Sequence, residues 1–243
     1  MHVASQLIVN ADDFGLGTTV NEGIIACFER GIVTSTSLMV RQPGASEAAE
    51  YARSSPGLGV GLHLDLGEWA LRNGNWVPLY EVAPLDSAQE LADEIHRQIA
   101  AFHDLLGREP THLDSHQHVH QREPLRSILR AVAAERCLPL RHENPGVRYC
   151  GNFYGQCEDG SALHSAISPG HLVETIAGLS SGITELACHP AAGPVENTMY
   201  DSERLMELRT LCDPAVREAI RDNGIVLIRF TEVGGSHCTG ESS

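Results

Sequence analysis

Short apolar runs alternate along the chain with longer segments in which apolar residues recur at helical spacing. The runs rich in β-branched and aliphatic residues predict strands at residues 7–11, 33–40, 60–66, 112–119, 138–141, 185–189 and 226–230. The amphipathic segments predict helices at residues 18–30, 45–54, 88–106, 123–135, 169–179 and 202–223. The helix at 88–106 is predicted from a single apolar stripe, which consists of Leu91, Ile95, Ile99, Phe102 and Leu106.

This alternation of strands and helices is typical of βα units around a parallel sheet. About seven such units predict an α/β, single-domain (β/α) barrel, TIM-barrel-like and distorted or seven-stranded, with an open doubly wound sheet as the alternative. No shift in composition marks a domain boundary, so the barrel is assigned to residues 1–233, and residues 234–243 are predicted to be a disordered tail. Residues 67–87 and 142–168 are predicted to be long loops that shape a substrate site.

Composition narrows the possible partners and the compartment. Hydrophobic residues make up 42% of the chain and charged residues 20%, which is typical of a globular protein with a sizeable core. The net charge of −15 argues against nucleic acid or an anionic membrane surface as a partner. The absence of a leader pattern and the seven scattered cysteines predict reduced thiols and a cytoplasmic protein, and a homodimer is possible for a barrel of this size.

Residues 110–120 read PTHLDSHQHVH, in which a histidine or aspartate occupies every second position from 112 to 120. In a strand, all five of these side chains would point to one face. Neutral imidazole and carboxylate are the usual protein ligands of zinc and similar divalent cations. The alternating residues, which predict much of a metal site on one strand, are His112, Asp114, His116, His118 and His120.

Three other polar motifs lie near the predicted carboxyl ends of strands, where parallel α/β folds place their active sites. They are NADDFG at 10–15, GVGLHLDL at 59–66 and ELACHPA at 185–191. Each motif is ambiguous alone. Asp12–Asp13 before a glycine could form a turn, and His63 could be a hydrogen-bonded core residue. His189 could be an ordinary residue at the end of a strand. Taken together, an aspartate and two histidines would make a three-ligand catalytic metal site, with a second carboxylate as base and a further histidine as acid.

These motifs resemble the YdjC-like carbohydrate deacetylase family, whose best-known members are chitooligosaccharide deacetylases. The resemblance rests on NADDFGLG, GIVTSTSLMV, GLHLDL, THLDSHQHVH, NFYG and CHPA, which extend over nearly the whole chain. It implies a (β/α) barrel with one divalent metal ion, magnesium or zinc. It also implies that an N-acetyl group is removed from an amino sugar or a short chitooligosaccharide, which leaves acetate and a free amine.

The resemblance also implies a role for each matching residue. Asp13, His63 and His116 would be the metal ligands, Asp12 the general base, and His189 the acid or the group that positions the product amine. The assignment of Asp12 as base and Asp13 as ligand follows related polysaccharide deacetylases, and the reverse assignment stays open.

Residues near these motifs are expected in supporting roles. Asp114 is expected to orient a ligand histidine, and His118 and His120 to lie at the rim or behind the ligands. Aromatic residues in the two predicted loops are candidates to stack on sugar rings; they are Trp69, Trp76, Tyr80, Tyr149, Phe153 and Tyr154. Arg141 and Glu143 could reach the pocket or could pair structurally.

Other metal-dependent barrel enzymes are the alternatives, namely a sugar isomerase or epimerase, a phosphoesterase or an amidohydrolase. All 17 basic residues of the chain are arginine, so a carboxylated bridging lysine is excluded. An isomerase or epimerase would release no acetate. A non-catalytic binding protein is disfavoured by the presence of the full set of candidate residues.

Overall fold

The computed structural model describes residues 4–233, which contain nine strands and seven α-helices. The strands are β1 (Ser5–Phe14), β2 (Ser35–Leu38), β3 (Gly59–Leu64), β4 (Gly67–Arg72), β5 (Asn75–Glu81), β6 (Leu113–Ser115), β7 (Val147–Cys150), β8 (Gly182–Cys188) and β9 (Val226–Leu227). The helices are α1 (Thr18–Arg30), α2 (Ala45–Ser54), α3 (Ala88–Leu106), α4 (Leu125–Glu135), α5 (Pro169–Ala177), α6 (Ser202–Leu211) and α7 (Pro214–Asp222).

Seven parallel strands form one curled half-barrel sheet in the order β6-β3-β2-β1-β8-β7, with β9 beside the start of β1. Beyond β6, Leu140 adds a parallel bridge to Leu113. Within residues 4–233 no backbone pairing joins this edge to β7, so the described sheet does not close. The prediction of a single-domain α/β fold with a parallel sheet is confirmed, whereas the ring of a TIM barrel is not found in this part of the chain.

Strand β1 lies in the interior of the sheet and organises it. Its apolar residues Leu7, Ile8 and Val9 are fully buried, because β2 and β9 flank one edge, β8 flanks the other, and other elements cover both faces. A parallel strand buried on both faces requires a continuous apolar run. The polar residues of β1 follow this run, at the carboxyl end where the neighbouring strands also end.

The helices follow the predicted apolar patterns closely. The bounds predicted for α1, α2 and α3 are confirmed, and the apolar stripe of α3 is buried along its length. The helix predicted at 202–223 is instead two helices. Asp213 caps α7 by accepting a hydrogen bond from the backbone N–H of Ala215, and Pro214 occupies the first turn, where its missing N–H carries no cost.

The two predicted loops contain regular structure. Residues 67–87 hold the antiparallel hairpin β4–β5, and residues 142–168 hold β7 and a short 3-10 helix, His164–Ile167. No helix within residues 4–233 is long and apolar enough to cross a membrane. The predicted tail at 234–243 lies outside the described residues.

The cysteines correct one expectation from the sequence. Cys137 is disulfide-bonded, so the prediction that all seven thiols are reduced is wrong at this position. The other described cysteines are free; they are Cys27, Cys150, Cys157, Cys188 and Cys212.

Candidate active site

Two adjacent carboxylates reach the same pocket because the backbone of β1 changes conformation at its end. Asp13 has a left-handed φ of 68°, and the pairing of β1 with β2 shifts register between Ala11 and Phe14. In a regular strand, neighbours point to opposite faces. The left-handed residue removes this alternation, and Asp tolerates that conformation better than most residues do.

Asp13 lies between two histidines that come from the neighbouring strands. Its Oδ1 is 3.2 Å from Nε2 of His63 and 3.1 Å from Nδ1 of His116. His63 lies near the end of β3, and His116 directly follows β6, the strand that pairs with β3. All three side chains are buried, and their ligand atoms lie within 4.8 Å of one another.

Asp114 supports this group from behind. The register of β3 and β6 places it opposite His63, and its Oδ1 accepts a hydrogen bond of 2.8 Å from Nδ1 of His63. His112 lies deeper, with Nε2 4.0 Å from Asp114 Oδ2 and its ring stacked on Phe230. Glycine is required at position 61, since a Cβ there would lie 2.4 Å from the His112 ring.

The charges of the group are strongly coupled. Burial alone would lower the pKa of His63, but the carboxylates of Asp114 and Asp13 outweigh burial and raise it to about 10. For His116 burial is likewise outweighed by Asp13, and the pKa rises to about 9. Asp13 itself has a pKa well below its usual value, because Arg204, with Nη2 2.7 Å from Oδ2, and His116 overcome the effect of burial.

Asp12 belongs to a second network, which is centred on Arg141. The guanidinium donates to both oxygens of Asp12, at 2.6 and 2.8 Å, and also lies 2.8 Å from Asp114 Oδ2 and 2.7 Å from Glu185 Oε1. Asn10 donates a further hydrogen bond of 2.8 Å to Asp12. Burial would raise the pKa of Asp12, but the guanidinium outweighs burial and lowers it, so this carboxylate stays ionised.

His189 follows β8 and completes the cluster. Its Nε2 is 3.8 Å from Asp12 Oδ2, and its Nδ1 is 3.9 Å from Glu207 Oε1. Burial lowers the pKa of His189 to about 4 and raises that of Glu207 to about 8. Glu207 also accepts hydrogen bonds from the His189 backbone N–H and the Tyr200 hydroxyl, so one carboxyl group holds both the histidine and the aromatic ring beside it.

The histidine-rich segment departs from the predicted strand. Strand β6 ends at Ser115, and residues His116–Gln121 form a 3-10 helix in which Gln117 and His118 have left-handed φ of 51° and 52°. The prediction that the alternating residues from 112 to 120 share one strand face is therefore wrong from His116 onward. His118 and His120 instead form a separate group with His142.

A cavity of about 580 Å³ borders the Asp13 group, within the range of roughly 300–1,000 Å³ that is usual for small-molecule sites. The aromatic residues along it include Trp69, Trp76, Tyr149, Phe153 and Tyr154. Tyr154 is 40% exposed and stacks on Tyr200 at a centroid distance of 4.6 Å. Tyr80, also predicted near substrate, instead donates a hydrogen bond of 2.9 Å to Asp65.

Sequence reasoning missed Arg204 and Glu207, which lie on α6 and contact Asp13 and His189. Charged residues on a helix are normally solvated, and only the tertiary structure shows that these two are at most 2% exposed. Glu68 was also missed. It lies in the hairpin that was predicted to be a loop, with Oε2 3.8 Å from His116 Nε2.

Comparisons with known proteins identify the family of the chain. The profile of the family described as YdjC-like protein matches residues 6–222. A chitooligosaccharide deacetylase of Klebsiella pneumoniae is 35% identical, over 93% of this chain and 98% of its own.

Two solved structures share the architecture. An Enterococcus faecalis protein, assigned provisionally to cellobiose-phosphate cleavage, superposes with a TM-score of 0.73 at 28% identity over 93% of this chain and 98% of its own. A family 4 carbohydrate esterase of Streptomyces lividans, solved with acetate, has a TM-score of 0.54 at 14% identity. The match covers 93% of this chain and 92% of the esterase chain. At that identity the esterase supports the fold alone.

Proposed function

This chain belongs to the YdjC-like protein family, and we propose that it is a carbohydrate N-deacetylase that uses one divalent metal ion. It would hydrolyse the N-acetyl group of an amino sugar or a short chitooligosaccharide to acetate and a free amine. The observation that carries the proposal is the convergence of Asp13, His63 and His116 beside Asp12 and His189 on one aromatic-lined cavity. The name of the Klebsiella relative supports the substrate class.

The donor atoms fit a metal ion. Ligands about 2.0–2.1 Å from a common ion lie about 2.9–3.4 Å apart in octahedral or tetrahedral geometry, and the Asp13–His63 and Asp13–His116 distances are 3.2 and 3.1 Å. The hydrogen bond from His63 Nδ1 to Asp114 has the form that metal-binding histidines usually make. When bound, the ion would polarise the amide carbonyl and acidify water.

Asp12 would be the general base. Arg141 and Asn10 hold both its oxygens in fixed positions, and its lowered pKa keeps it ionised and able to accept a proton from water. Asp13 lies between the two histidines of the candidate metal site, which suits a metal ligand.

His189 would deliver the proton that the leaving amine requires. With a pKa lowered to about 4 it is neutral at rest, so it has to receive that proton during the reaction. Asp12 Oδ2 is 3.8 Å from its Nε2, which makes the protonated base the natural source. Glu207, whose Oε1 lies 3.9 Å from Nδ1 of the ring, would help to keep the ring oriented for this transfer.

The hairpin residue Trp76 is the aromatic side chain best placed to bind an extended sugar. It is 58% exposed and borders the cavity, so a ring stacked on it would reach beyond the reacting unit. Trp76→Ala should raise KM for a disaccharide by about 5- to 30-fold, from about 1–2 kcal/mol of lost stacking, with little change in kcat. Trp76→Phe should keep most of the affinity, and an unchanged KM in the alanine variant would remove this residue from the substrate site.

The reaction is tested by acetate release from N,N′-diacetylchitobiose with metal-reconstituted enzyme. Asp12→Asn should retain the metal but lose activity by about 10²–10⁴-fold, whereas Asp13→Asn should lose metal and activity together. Asp93→Asn, an exposed carboxylate on α3, is the matched control and should behave like wild type.

The possible failures have different meanings. Loss of metal from Asp12→Asn alone would reverse the roles of the two aspartates. If wild-type enzyme with bound metal releases no acetate from this or other N-acetylated sugars, the deacetylase proposal is wrong. A sugar isomerase or epimerase would then be the next candidate, because such an enzyme releases none.

A further inference from the structure

His118, His120 and His142 form a second group of possible metal ligands, here called the three-histidine cluster. Their ligand nitrogens lie within 4.8 Å of one another, and none of the three belongs to the Asp13 group. We propose that the three-histidine cluster is a second, independent metal site that binds a zinc-like divalent ion.

The first argument is the unsatisfied nitrogen of His120. This residue is 1% exposed, and its Nδ1 lies 2.7 Å from the Ser115 hydroxyl oxygen. Its Nε2 is buried and makes no hydrogen bond within 3.5 Å among the described residues, although the Arg141 backbone lies near the ring. A buried polar atom without a close partner is costly, and a water molecule or an ion bound in the functional protein would remove that cost. With Nδ1–H donating to Ser115, the lone pair of Nε2 is available to an ion.

The second argument is the spacing of His118 and His142. Nδ1 of His118 is 3.4 Å from Nε2 of His142. Two nitrogens bound tetrahedrally to zinc at about 2.0–2.1 Å lie about 3.3–3.4 Å apart, so these atoms already have the spacing of two ligands on one ion. The other nitrogen of His118 lies 3.2 Å from the Tyr149 hydroxyl. A hydroxyl therefore supports the second nitrogen of both His118 and His120, as metal-binding imidazoles require.

The donor set selects the kind of ion. Three imidazoles without a carboxylate suit zinc, nickel or copper, whereas magnesium needs oxygen ligands. Arg141, whose charge acts on all three histidines, is compensated by three carboxylates, those of Asp12, Asp114 and Glu185. Its charge therefore leaves the site able to accept a cation.

The location indicates how the ion would enter and what it would border. His142 is exposed, which provides a route from solvent. His118 borders the same cavity as Asp13 and His116. Three protein ligands leave a fourth position of a tetrahedral ion open for water or substrate.

Metal stoichiometry tests the proposal. Untagged, metal-free protein is titrated with Zn²⁺ by calorimetry and with Co²⁺ by visible absorption. Wild type should bind two equivalents, and His142→Ala should weaken one of them by more than about 100-fold, beyond the effect of losing a supporting hydrogen bond. The Co²⁺ bound in His63→Ala should show the strong absorption of a four-coordinate ion. His103→Ala, an exposed histidine outside both groups, should match wild type.

The outcomes separate this proposal from the proposed function. If His142→Ala binds Zn²⁺ like His103→Ala, the three-histidine cluster is only a hydrogen-bonded aromatic cluster and the proposal is wrong. If His63→Ala keeps two equivalents while His142→Ala loses one, the second site stands and the Asp13 site fails. Since His142 is exposed, its substitution leaves the fold intact, and circular dichroism checks this directly.

Discussion

Arg141 is predicted to contribute more to stability than any exposed charged residue of the protein. It is 2% exposed and lies against the carboxylates of Asp12, Asp114 and Glu185 at 2.6–2.8 Å. Removal of one partner from a buried ion pair costs about 3–5 kcal/mol, because the remaining charge stays buried. Arg141→Met leaves three such carboxylates, so the free energy of unfolding should fall by at least this amount near pH 8.

The loss should depend on pH in a defined direction. In wild type the guanidinium outweighs burial and lowers the pKa of Asp12 and Asp114, so their contribution to stability is present above the unfolded pKa and disappears only in strong acid. Without Arg141, burial should raise the pKa of both above the unfolded value, and stability then falls as pH rises. Uptake of one proton corresponds to about 1.4 kcal/mol per pH unit, so over the roughly 2.5 units between pH 8 and pH 5.5 the destabilisation should shrink by up to about 3.5 kcal/mol.

The assay is urea denaturation of both proteins, followed by circular dichroism at the two pH values. Arg126→Met is the matched control, because Arg126 is an exposed partner of Glu143 and its loss should cause no measurable change. A destabilisation by Arg141→Met that is no larger than the control, or that is equal at both pH values, would refute the reasoning.

Two further predictions concern metal uptake and helix packing. Because the pKa values of His63 and His116 are raised to about 10 and about 9, metal binding near neutral pH should release close to two protons and should weaken as pH falls. Calorimetry in buffers of different ionisation enthalpy measures the number of protons released. A binding reaction that releases no protons would contradict this prediction. Gly23→Ala should destabilise by about 1–3 kcal/mol in thermal or urea unfolding, since its Cβ would lie 2.5 Å from the Ala191 backbone. Gly170→Ala, in a helical position with open space, should instead be neutral or stabilising by up to about 1 kcal/mol, and equal effects at the two glycines would contradict the packing argument.

The local pattern was sufficient for the bounds of α1, α2 and α3. The stripe of α3 was predicted to its exact bounds, because period 3.6 is a property of neighbouring residues and the left-handed Gly107 ends the helix. The same reasoning failed at His116–Gln121. Alternation of histidines is compatible with a strand, and nothing local indicated that Gln117 and His118 would take left-handed conformations.

The sequence by itself determined which chemical groups are available and at which strand ends they lie. Asp12, Asp13, His63 and His189 follow or end apolar runs, and the carboxyl ends of parallel strands meet at one edge of a sheet. Their collection in one place was therefore predictable from topology alone, without any knowledge of side-chain contacts.

Only the tertiary structure decided how those groups are paired and charged. Arg204 reaches Asp13 from 191 residues away along the chain, and Arg141 reaches Asp12 from 129 residues away. Burial and Coulomb interaction depend on distance in space, not on separation in sequence. The same fact explains why the histidines of one short motif were divided between two clusters: His116 lies with Asp13, whereas His118 and His120 lie with His142.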